Sequence, residues 1–266
     1  MNRGLVWILQ RWLVLAVLVG VWEFATRLAN DVWFPPPTKI IKQGVELWFS
    51  GSEVRSAWVD DILPSLGRTL GGWLLAVAIG VVIGTALGRS RHGMDYVGPL
   101  FAFMRAIPPV MLVPVFIVVF GLYTEMKLAT IVFGAVWPVL LNTVDGVRSV
   151  DPVQTDTARS FRTPRYRWIG EVVLPAALPK IFAGLRVSLS IAVLLMVVSE
   201  LVGKTSGIGN KLVSAQRQFD FTIMWAWIVL LGILGWGLNA LLLVVERHML
   251  RWQPSRQTQR MLQAGG

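Results

Sequence analysis

The residues that could do chemistry in this sequence are ionisable side chains placed inside long apolar runs. Arg105, Asp145 and Arg186 lie near one end of such runs, and Glu23 and Glu200 lie near the other end. An uncompensated charge at the centre of a bilayer costs roughly 2.5–3.5 kcal/mol, so ionisable residues kept at membrane depth are candidates for a substrate pathway. Snorkelling to the interface or pairing also accounts for each of them. None stands at mid-membrane, where a proton relay is expected.

Other chemistry is excluded by what the motifs lack. Gly203-Lys204-Thr205 resembles the end of a phosphate loop, but the position five residues before Gly203 is Val198 instead of glycine, and an apolar span precedes it instead of a strand. Gly207-x-Gly209 lacks the third glycine of a dinucleotide fingerprint. The chain has no cysteine, and its two histidines, His92 and His248, stand in basic segments without partner ligands. We therefore expect no catalytic residue and no metal site.

The elements that carry these residues are membrane-spanning helices. Only 15% of the 266 residues are charged and 55% are hydrophobic, against roughly 25% charged in an average soluble domain. A span needs about 20 predominantly apolar residues, and six stretches qualify. They are Leu5–Leu28, Thr69–Gly88, Leu100–Tyr123, Leu128–Val147, Ile181–Val202 and Phe221–Val245. The sequence therefore predicts an all-α polytopic membrane protein with six transmembrane helices.

The orientation follows from the distribution of Lys and Arg. Six spans place both termini on one side, and the segments on that side carry the excess of basic residues, which assigns it to the cytoplasm. Residues 148–180 form the longest of these segments. The net charge of +10 thus belongs to a cytoplasmic membrane surface. A nucleic-acid partner loses its support, because its basic stripe should come with a soluble domain.

Small residues and prolines indicate how the spans pack. Gly80, Gly84 and Gly88 recur every four residues in the second span, a spacing that lets helix backbones approach closely in lipid. Pro108, Pro109 and also Pro114 interrupt the third span and predict a kink, because proline removes backbone donors. Broken helices at this depth often line a pathway. Arg105, Pro108, Pro109 and, in the fifth span, Glu200 are therefore the candidate pathway residues.

Segment 148–180 is predicted to be a compact helical knob. Asp151 is expected to be an N-cap, with Pro152 at the first helical position and Gln154 completing a capping box. The helix should end near Thr163-Pro164, where a second short helix begins. Val172-Val173-Leu174-Pro175 predicts a break before the fifth span. A knob of this kind suits docking onto a soluble partner.

The knob also carries a spaced pattern. Asp156-Thr157-Ala158 is followed by three residues, Arg162, nine residues and Val172-Val173-Leu174-Pro175. This resembles the Glu-Ala-Ala, three residues, Gly, nine residues, Ile-x-Leu-Pro pattern before the penultimate span of ATP-binding cassette (ABC) importer permeases. Asp for Glu is a mild change, whereas Arg162 replaces a glycine that would permit a tight turn or a close approach.

Further stretches are similar to the nitrate, sulfonate and taurine branch of that family. They are Trp22-Glu23, Phe34-Pro35-Pro36-Pro37-Thr38, Arg105-Ala106-Ile107-Pro108-Pro109, Pro138-Val139-Leu140-Leu141-Asn142-Thr143, Gly146-Val147-Arg148-Ser149-Val150-Asp151-Pro152, Leu174-Pro175-Ala176-Ala177-Leu178-Pro179, Ile181-Phe182-Ala183-Gly184-Leu185-Arg186 and Ser206-Gly207-Ile208-Gly209. The resemblance covers nearly the whole chain from residue 20 onward.

This resemblance implies a type I ABC importer permease fold in a bacterial inner membrane, with both termini cytoplasmic and a coupling helix between spans 4 and 5. The implied partners are two ATP-binding subunits, which use ATP and Mg, a second permease copy forming a homodimer, and a periplasmic or lipid-anchored binding protein. No cofactor is expected on this chain. The implied coupling residues are Asp156, Thr157, Ala158, Arg162, Leu174 and Pro175. The expected organisation is a single permease domain, 1–266, with span 1 in 1–29, a periplasmic segment in 30–65, core spans 2–6 in 66–252 and a cytoplasmic tail in 253–266.

The expected substrate is a small anion, with aliphatic sulfonate or taurine first and nitrate or bicarbonate next. A pyrimidine-type vitamin precursor or another small metabolite is the alternative. Two other classes of protein stay open: a stand-alone secondary transporter or channel, which would share the kinked span and small-residue packing, and a membrane enzyme, for which clustered carboxylates or histidines are lacking. The knob favours the ATP-driven importer, because a self-sufficient carrier does not need it.

Overall fold

The structure is a computed structural model that describes residues 3–51, 54–90, 92–202 and 206–252, with side chains from residue 12 onward. These residues form helices and connecting turns, with no strand among them. Gly203-Lys204-Thr205 and the predicted tail 253–266 lie outside the described residues. The α-helices are α1 (Arg3–Ala29), α2 (Pro37–Val45), α3 (Val54–Ser56), α4 (Leu63–Arg89), α5 (Gly93–Ala106), α6 (Val113–Phe120), α7 (Thr124–Arg148), α8 (Pro152–Ser160), α9 (Arg165–Arg167), α10 (Leu174–Leu201), α11 (Ile208–Arg217) and α12 (Phe221–Met249).

Five helical segments are long and apolar enough to cross a membrane, and a bent pair of helices brings the number to six if it counts as one span. The continuous segments are Trp12–Ala29, Val54–Arg89, Thr124–Arg148, Arg165–Leu201 and Phe221–Met249. They coincide with predicted spans 1, 2, 4, 5 and 6, and the bent pair coincides with span 3. The all-helical membrane fold is therefore confirmed, whereas the cytoplasmic placement of both termini stays a prediction.

Two spans are longer than predicted because π-helical segments join them to preceding short helices. The π segments are Glu46–Ser50, Ala57–Ile62 and Trp168–Val173. The second runs directly into α4 and the third directly into α10. The break predicted at Val172-Val173-Leu174-Pro175 is therefore wrong. Pro175 directly follows the π segment, whose hydrogen bonds depart from the regular α pattern that a proline ring disrupts, and the helix continues through it.

The third predicted span is broken more sharply than a proline kink. Helix α5 ends at Ala106, a 3₁₀ turn covers Pro109–Leu112, and α6 follows, with an angle of 82° between the two halves. Ile107 and Pro108 have extended backbones, with ψ values of 118° and 124°. Each precedes a proline, and that position disfavours the helical conformation. Two successive prolines thus turn the predicted kink into a break.

One compact unit comprises Met1–Leu66 and Glu200–Leu234. Its core is built from apolar side chains of α2, the first two π segments, α11 and α12: Ile40, Trp48, Ala57, Ile62, Ile208, Ala226, Trp227 and Leu230. Trp22 packs edge to face on Trp225, with ring centroids 5.3 Å apart. This core packs the start of α4, through Leu66, against the start of α11 at Ile208.

The other compact unit comprises Gly67–Ser199 and Gly235–Gly266. Its core forms around α7 and α10 and includes Val139, Val147, Trp168, Val173, Ala177, Ile181, Phe182, Leu185, Leu189 and Leu242. Because Trp168 and Val173 belong to the segment that follows α8, this core anchors the predicted knob to the spans. The single domain predicted for 1–266 stays a prediction.

The glycines of the predicted packing stripe lie where α4 meets α7. A Cβ atom added at each would lie 2.9, 2.7 and 2.8 Å from the Cβ atom of the facing residue, for the pairs Gly80 with Val139, Gly84 with Thr143 and Gly88 with Val147. Real Cβ atoms do not come this close to a neighbour. A side chain at these positions would therefore force the two helices apart, and in lipid such close backbone approach is a main source of helix association.

Candidate coupling segment and helix break

Helix α8 begins at the residue that the sequence indicates. The Asp151 carboxylate oxygen Oδ1 accepts a hydrogen bond from the Val153 N–H group at 2.9 Å, and Pro152 occupies the first helical position. Such a cap satisfies one of the free N–H groups of the first turn. Gln154 is exposed, and among the described residues its side chain makes no hydrogen bond that would complete a capping box. The N-cap bond of Asp151 is therefore present, whereas the reciprocal bond, in which Gln154 would accept from the Asp151 N–H group, is not found among the described residues.

Helix α8 ends in a Schellman motif that has arginine in the glycine position. Arg162 has a φ of 51°, in the left-handed region. Its N–H group donates to the Arg159 carbonyl at 3.0 Å, and the Thr163 N–H group donates to the Ala158 carbonyl at 2.9 Å. This position usually takes glycine, because a Cβ atom is unfavourable there. The position at which the family pattern has glycine is thus the one that needs a left-handed backbone.

The predicted coupling residues of α8 lie on different faces of the helix. Asp156 and Thr157 are exposed, whereas Ala158 is half-buried and packs against the core that contains Trp168. Asp156 lies 3.4 Å from Arg159 Nη1, an exposed pair one turn apart. Asp156 and Thr157 are therefore accessible to a partner, and Ala158 attaches the helix to the rest of its own chain.

Two exposed apolar residues of this segment were missed by the sequence reasoning. Val153 is 70% exposed and Phe161, the residue that ends α8, is 80% exposed. Together with Thr157 they are spaced four residues apart, so they share one face of the helix. The sequence shows an aromatic residue, Phe161, near the predicted end of the helix. It does not show that the ring is exposed, because that depends on which face of the helix Ala158 attaches to the core.

The remaining two predicted coupling residues begin α10. Leu174 is half-buried and packs against the same core as Ala158, and Pro175 is half-buried beside it. They connect the knob to the fifth span through packing.

The break in the third span presents Arg105 at its edge. Arg105 is exposed in the last turn of α5, and among the described residues it has no salt-bridge partner. Pro108 is exposed, whereas Pro109 packs inward. A Cβ atom at Gly134 would lie 3.1 Å from Pro109 Cγ and would overlap the Leu195 side chain. The absence of a side chain at Gly134 thus lets α7 hold the break against α10.

Glu200 is buried in a network of polar groups. It is 1% exposed, its oxygens accept hydrogen bonds from the Ser65 hydroxyl at 2.8 and 2.9 Å, and Oε2 also accepts from the Gly209 N–H group at 3.0 Å. The Ser65 oxygen accepts in turn from the Ile208 N–H group at 3.0 Å. Glu200 therefore holds the first turn of α11, and its place in a pathway stays a prediction.

A second carboxylate, which the sequence reasoning did not select, extends this network. Asp61 is 2% exposed, accepts a hydrogen bond from the Gly207 N–H group at 3.0 Å and lies 3.5 Å from Lys211 Nζ. Gly207 has a φ of 135°, and a Cβ atom there would overlap the Glu200 carboxylate. In the sequence, the signal that could have indicated this network is the pair of polar residues Asp61 and Ser65, spaced four residues apart just before a predicted span.

No group of three or more His, Asp or Glu side chains is close enough to hold a metal ion in the part of the chain that the structure describes.

Apolar spans joined by a capped helical segment define a polytopic membrane protein. The chain belongs to the family of binding-protein-dependent transport system inner membrane components, whose model matches residues 76–252. This membership decides against a stand-alone carrier and against a membrane enzyme. The chain is a non-enzymatic permease component of an ABC importer, a multi-pass inner-membrane protein that works with a separate ATP-binding subunit and a substrate-binding protein.

Relatives of known description cover most of the chain. It is 32% identical over 242 residues to the putative aliphatic sulfonates transport permease protein SsuC of Bacillus subtilis, covering 90% of this chain and 86% of that protein. It is 28% identical over 240 residues to the taurine transport system permease protein TauC of Escherichia coli, covering 90% and 87%. It is 27% identical over 229 residues to the nitrate import permease protein NrtB of Leptolyngbya laminosa, covering 85% and 81%. The resemblance to the nitrate, sulfonate and taurine branch is thereby confirmed.

A solved structure has the same fold. A chain of the inward-facing MetNI methionine ABC transporter matches with a TM-score of 0.62 and 18% sequence identity, covering 71% of this chain and 94% of that chain. The likeness confirms the type I importer permease fold.

Proposed function

We propose that this chain and a second copy of itself form the translocation pathway of an ATP-driven importer for an aliphatic sulfonate or taurine. Two ATP-binding subunits would drive it, and a periplasmic or lipid-anchored protein would deliver the substrate. The descriptions of SsuC and TauC support this choice, because both name compounds that carry a sulfonate group. Nitrate, bicarbonate and a pyrimidine-type vitamin precursor are the competing substrates.

The observation that carries the anion proposal is the exposed Arg105 at the break of the third span. Irregular backbone at membrane depth is tolerated where it is buried in protein or lines a water-filled cavity. A guanidinium group keeps its charge and offers donors in a fork that matches oxyanions. Arg105 would therefore attract a sulfonate towards the pathway and bind it weakly enough for release.

Helix α8 is proposed as the coupling helix that meets the ATP-binding subunit. Its face with Val153, Thr157 and Phe161 is directed away from the permease core, and its opposite face is anchored to that core through Ala158. A partner that pulls on the exposed face would move the spans, because the anchored face transmits the displacement. Closure of the two ATP-binding subunits would then favour one of two states of the permease pair.

The test is transport by the complete complex in proteoliposomes. The chain is reconstituted with its ATP-binding subunit and binding protein, and ATP hydrolysis and uptake are measured with taurine, ethanesulfonate, nitrate, bicarbonate and a pyrimidine vitamin precursor in turn. We expect taurine or ethanesulfonate to stimulate both. Stimulation by the pyrimidine compound alone would contradict the anion proposal.

Variants of the permease separate the roles of charge and docking. Arg105→Gln is expected to lower uptake about tenfold and Arg105→Lys to lower it less, because Lys keeps the charge but loses the fork. Arg247→Gln, which changes an exposed arginine at the end of α12, is the control and should transport normally.

Asp156→Lys tests the docking of α8. It should uncouple ATP hydrolysis from uptake, and unchanged coupling would contradict the docking assignment.

A further inference from the structure

A basic cavity lies beside the coupling helix. It has a volume of about 690 Å³ and is bounded by the ends of α4 and α7, the start of α5, helix α8 and the segment that leads into α10. Five arginines line it: Arg89, Arg148, Arg159, Arg162 and Arg165. Asp95 is the one carboxylate among its lining residues. The lining is therefore strongly positive.

These charges are poorly compensated by the protein itself. Asp95 lies 3.5 Å from His92, and Arg159 lies 3.4 Å from Asp156. Within the described ranges, Arg148 and Arg165 have no salt-bridge partner, and the same holds for the other two arginines of the lining. Like charges that converge on one cavity repel one another, so an anion in the cavity would stabilise this arrangement.

Two of the five arginines, Arg162 and Arg165, occupy positions that the local backbone or the helix dipole disfavours, whereas others occupy favoured positions. Arg89 and Arg148 lie in the last turns of α4 and α7, where the helix dipole favours a positive charge. Arg165 begins the continuous helix Arg165–Leu201, an end at which the dipole disfavours a cation. Arg162 adopts a left-handed backbone that disfavours any residue with a Cβ atom. Helix dipoles therefore account for Arg89, Arg148 and Arg159, which all lie in last turns, but they do not account for Arg165 or for an arginine at the left-handed position 162.

We propose that the cavity is a binding site for phosphate that carries about two negative charges in total, either free inorganic phosphate or the paired headgroup phosphates of an anionic lipid such as cardiolipin. Guanidinium groups bind such oxyanions through paired, charge-assisted hydrogen bonds. The volume falls in the range of about 300–1,000 Å³ that is usual for small-ligand sites. A concave site lined from several separate segments favours a compact ligand over the flat surface of another protein.

A bound phosphate group would tie α8 to the ends of two spans. Arg159 and Arg162 belong to α8 and its cap, whereas Arg89 and Arg148 belong to α4 and α7. Bridging them through one anion would reduce the local opening of α8. This consequence can be measured on the protein without transport, so it does not depend on which substrate the importer carries.

The experiment uses the full-length chain assembled with its ATP-binding subunit in nanodiscs. One arm has phosphatidylcholine alone and measures binding of radiolabelled inorganic phosphate. The other has phosphatidylcholine and cardiolipin at roughly 4:1, without phosphate, and measures retained cardiolipin by native mass spectrometry. Phosphate binding in the first arm identifies a free-phosphate site, and selective cardiolipin retention in the second identifies a headgroup site.

The variant is Arg148→Gln with Arg165→Gln, and the matched control is Arg167→Gln. Arg167 is exposed in the same segment, lies 5.9 Å from the Tyr166 ring centre and does not line the cavity. The double variant is expected to weaken binding about tenfold, since it loses two charge-assisted contacts that solvent partly screens, whereas the control binds like the wild type. Equal binding by the two variants overturns the proposal.

Hydrogen exchange of the wild type gives a second measurement that does not depend on how the variants fold. We expect phosphate, or cardiolipin in the second arm, to slow the exchange of the α8 amides at least twofold. Unchanged exchange in both arms overturns the site. Loss of the ATP-binding subunit from the double variant, with no phosphate or cardiolipin binding by the wild type, also overturns it and assigns the arginines to a protein contact.

Discussion

Replacing Arg162 by glycine is expected to stabilise the end of the coupling helix. The left-handed backbone at Arg162, with a φ of 51°, costs a residue with a Cβ atom about 1–2 kcal/mol. Glycine loses about 0.5–1 kcal/mol more conformational freedom on folding than other residues. The difference leaves a net stabilisation of about 0.5–1 kcal/mol, which lowers the population of the locally opened cap about two- to fivefold.

Hydrogen exchange of the full-length chain in nanodiscs measures this change. The Thr163 amide reports on the cap, because its N–H group donates to the Ala158 carbonyl at 2.9 Å. Arg162→Ala is the baseline, since it removes the guanidinium group but keeps the Cβ atom. Exchange at Thr163 should be about two- to fivefold slower in Arg162→Gly than in Arg162→Ala.

The same substitution three residues earlier should have the opposite effect. Arg159 lies inside α8, where glycine destabilises a helix by about 0.5–1 kcal/mol. Arg159→Gly is therefore expected to speed exchange at Thr163. If Arg162→Gly and Arg162→Ala exchange at the same rate, the cost of the left-handed backbone is absent and the reasoning is refuted.

Three further predictions concern packing, the buried network and docking. Gly84→Ala should lower the free energy of unfolding by about 1–3 kcal/mol, whereas Gly67→Ala, with no atom within 4 Å of the added Cβ, should not; equal melting temperatures would contradict this. Glu200→Gln should speed amide exchange in the first turn of α11, because a poorly paired buried donor costs about 1–3 kcal/mol, and unchanged exchange would argue against the network. Phe161→Ala should reduce co-purification of the ATP-binding subunit without changing the melting temperature of the permease. Ala158→Glu should instead lower the melting temperature, because it places a charge against the core. A lower melting temperature for Phe161→Ala would show that its ring stabilises the fold and would contradict a docking role.

Local signals predicted much of the fold. Runs with few charges marked the spans because a charge near the bilayer centre is costly. Asp151 and Pro152 marked the start of α8 because a cap needs only the residues next to it. The four-residue spacing from Gly80 to Gly88 pointed to a packing face for the same reason, since helix periodicity alone places these residues together.

Features that depend on distant residues were not predictable from the sequence. The burial of Glu200 depends on distant residues, such as Ser65, whose hydroxyl donates a hydrogen bond to it from 135 positions away in the chain. The inward face of Ala158 depends on the core around Trp168. The break predicted at Leu174-Pro175 failed because the π segment before the proline departs from the regular α pattern and lets the helix continue. The left-handed backbone at position 162 explains why the family pattern has glycine there. The sequence did not suggest a role for Arg162, because the other arginines that line the same cavity come from distant parts of the chain.

The π-helical segment Trp168–Val173 gives the chain a length reserve between the coupling helix and the fifth span. A π turn holds an additional residue compared with an α turn. Deleting one residue there can close the wider turn and leave Ala158 and the residues of α10 on their present faces. The same deletion inside α10 would rotate everything before it by about 100°. Relatives that differ in length by one residue can therefore keep the same docking geometry if the difference falls between Trp168 and Val173.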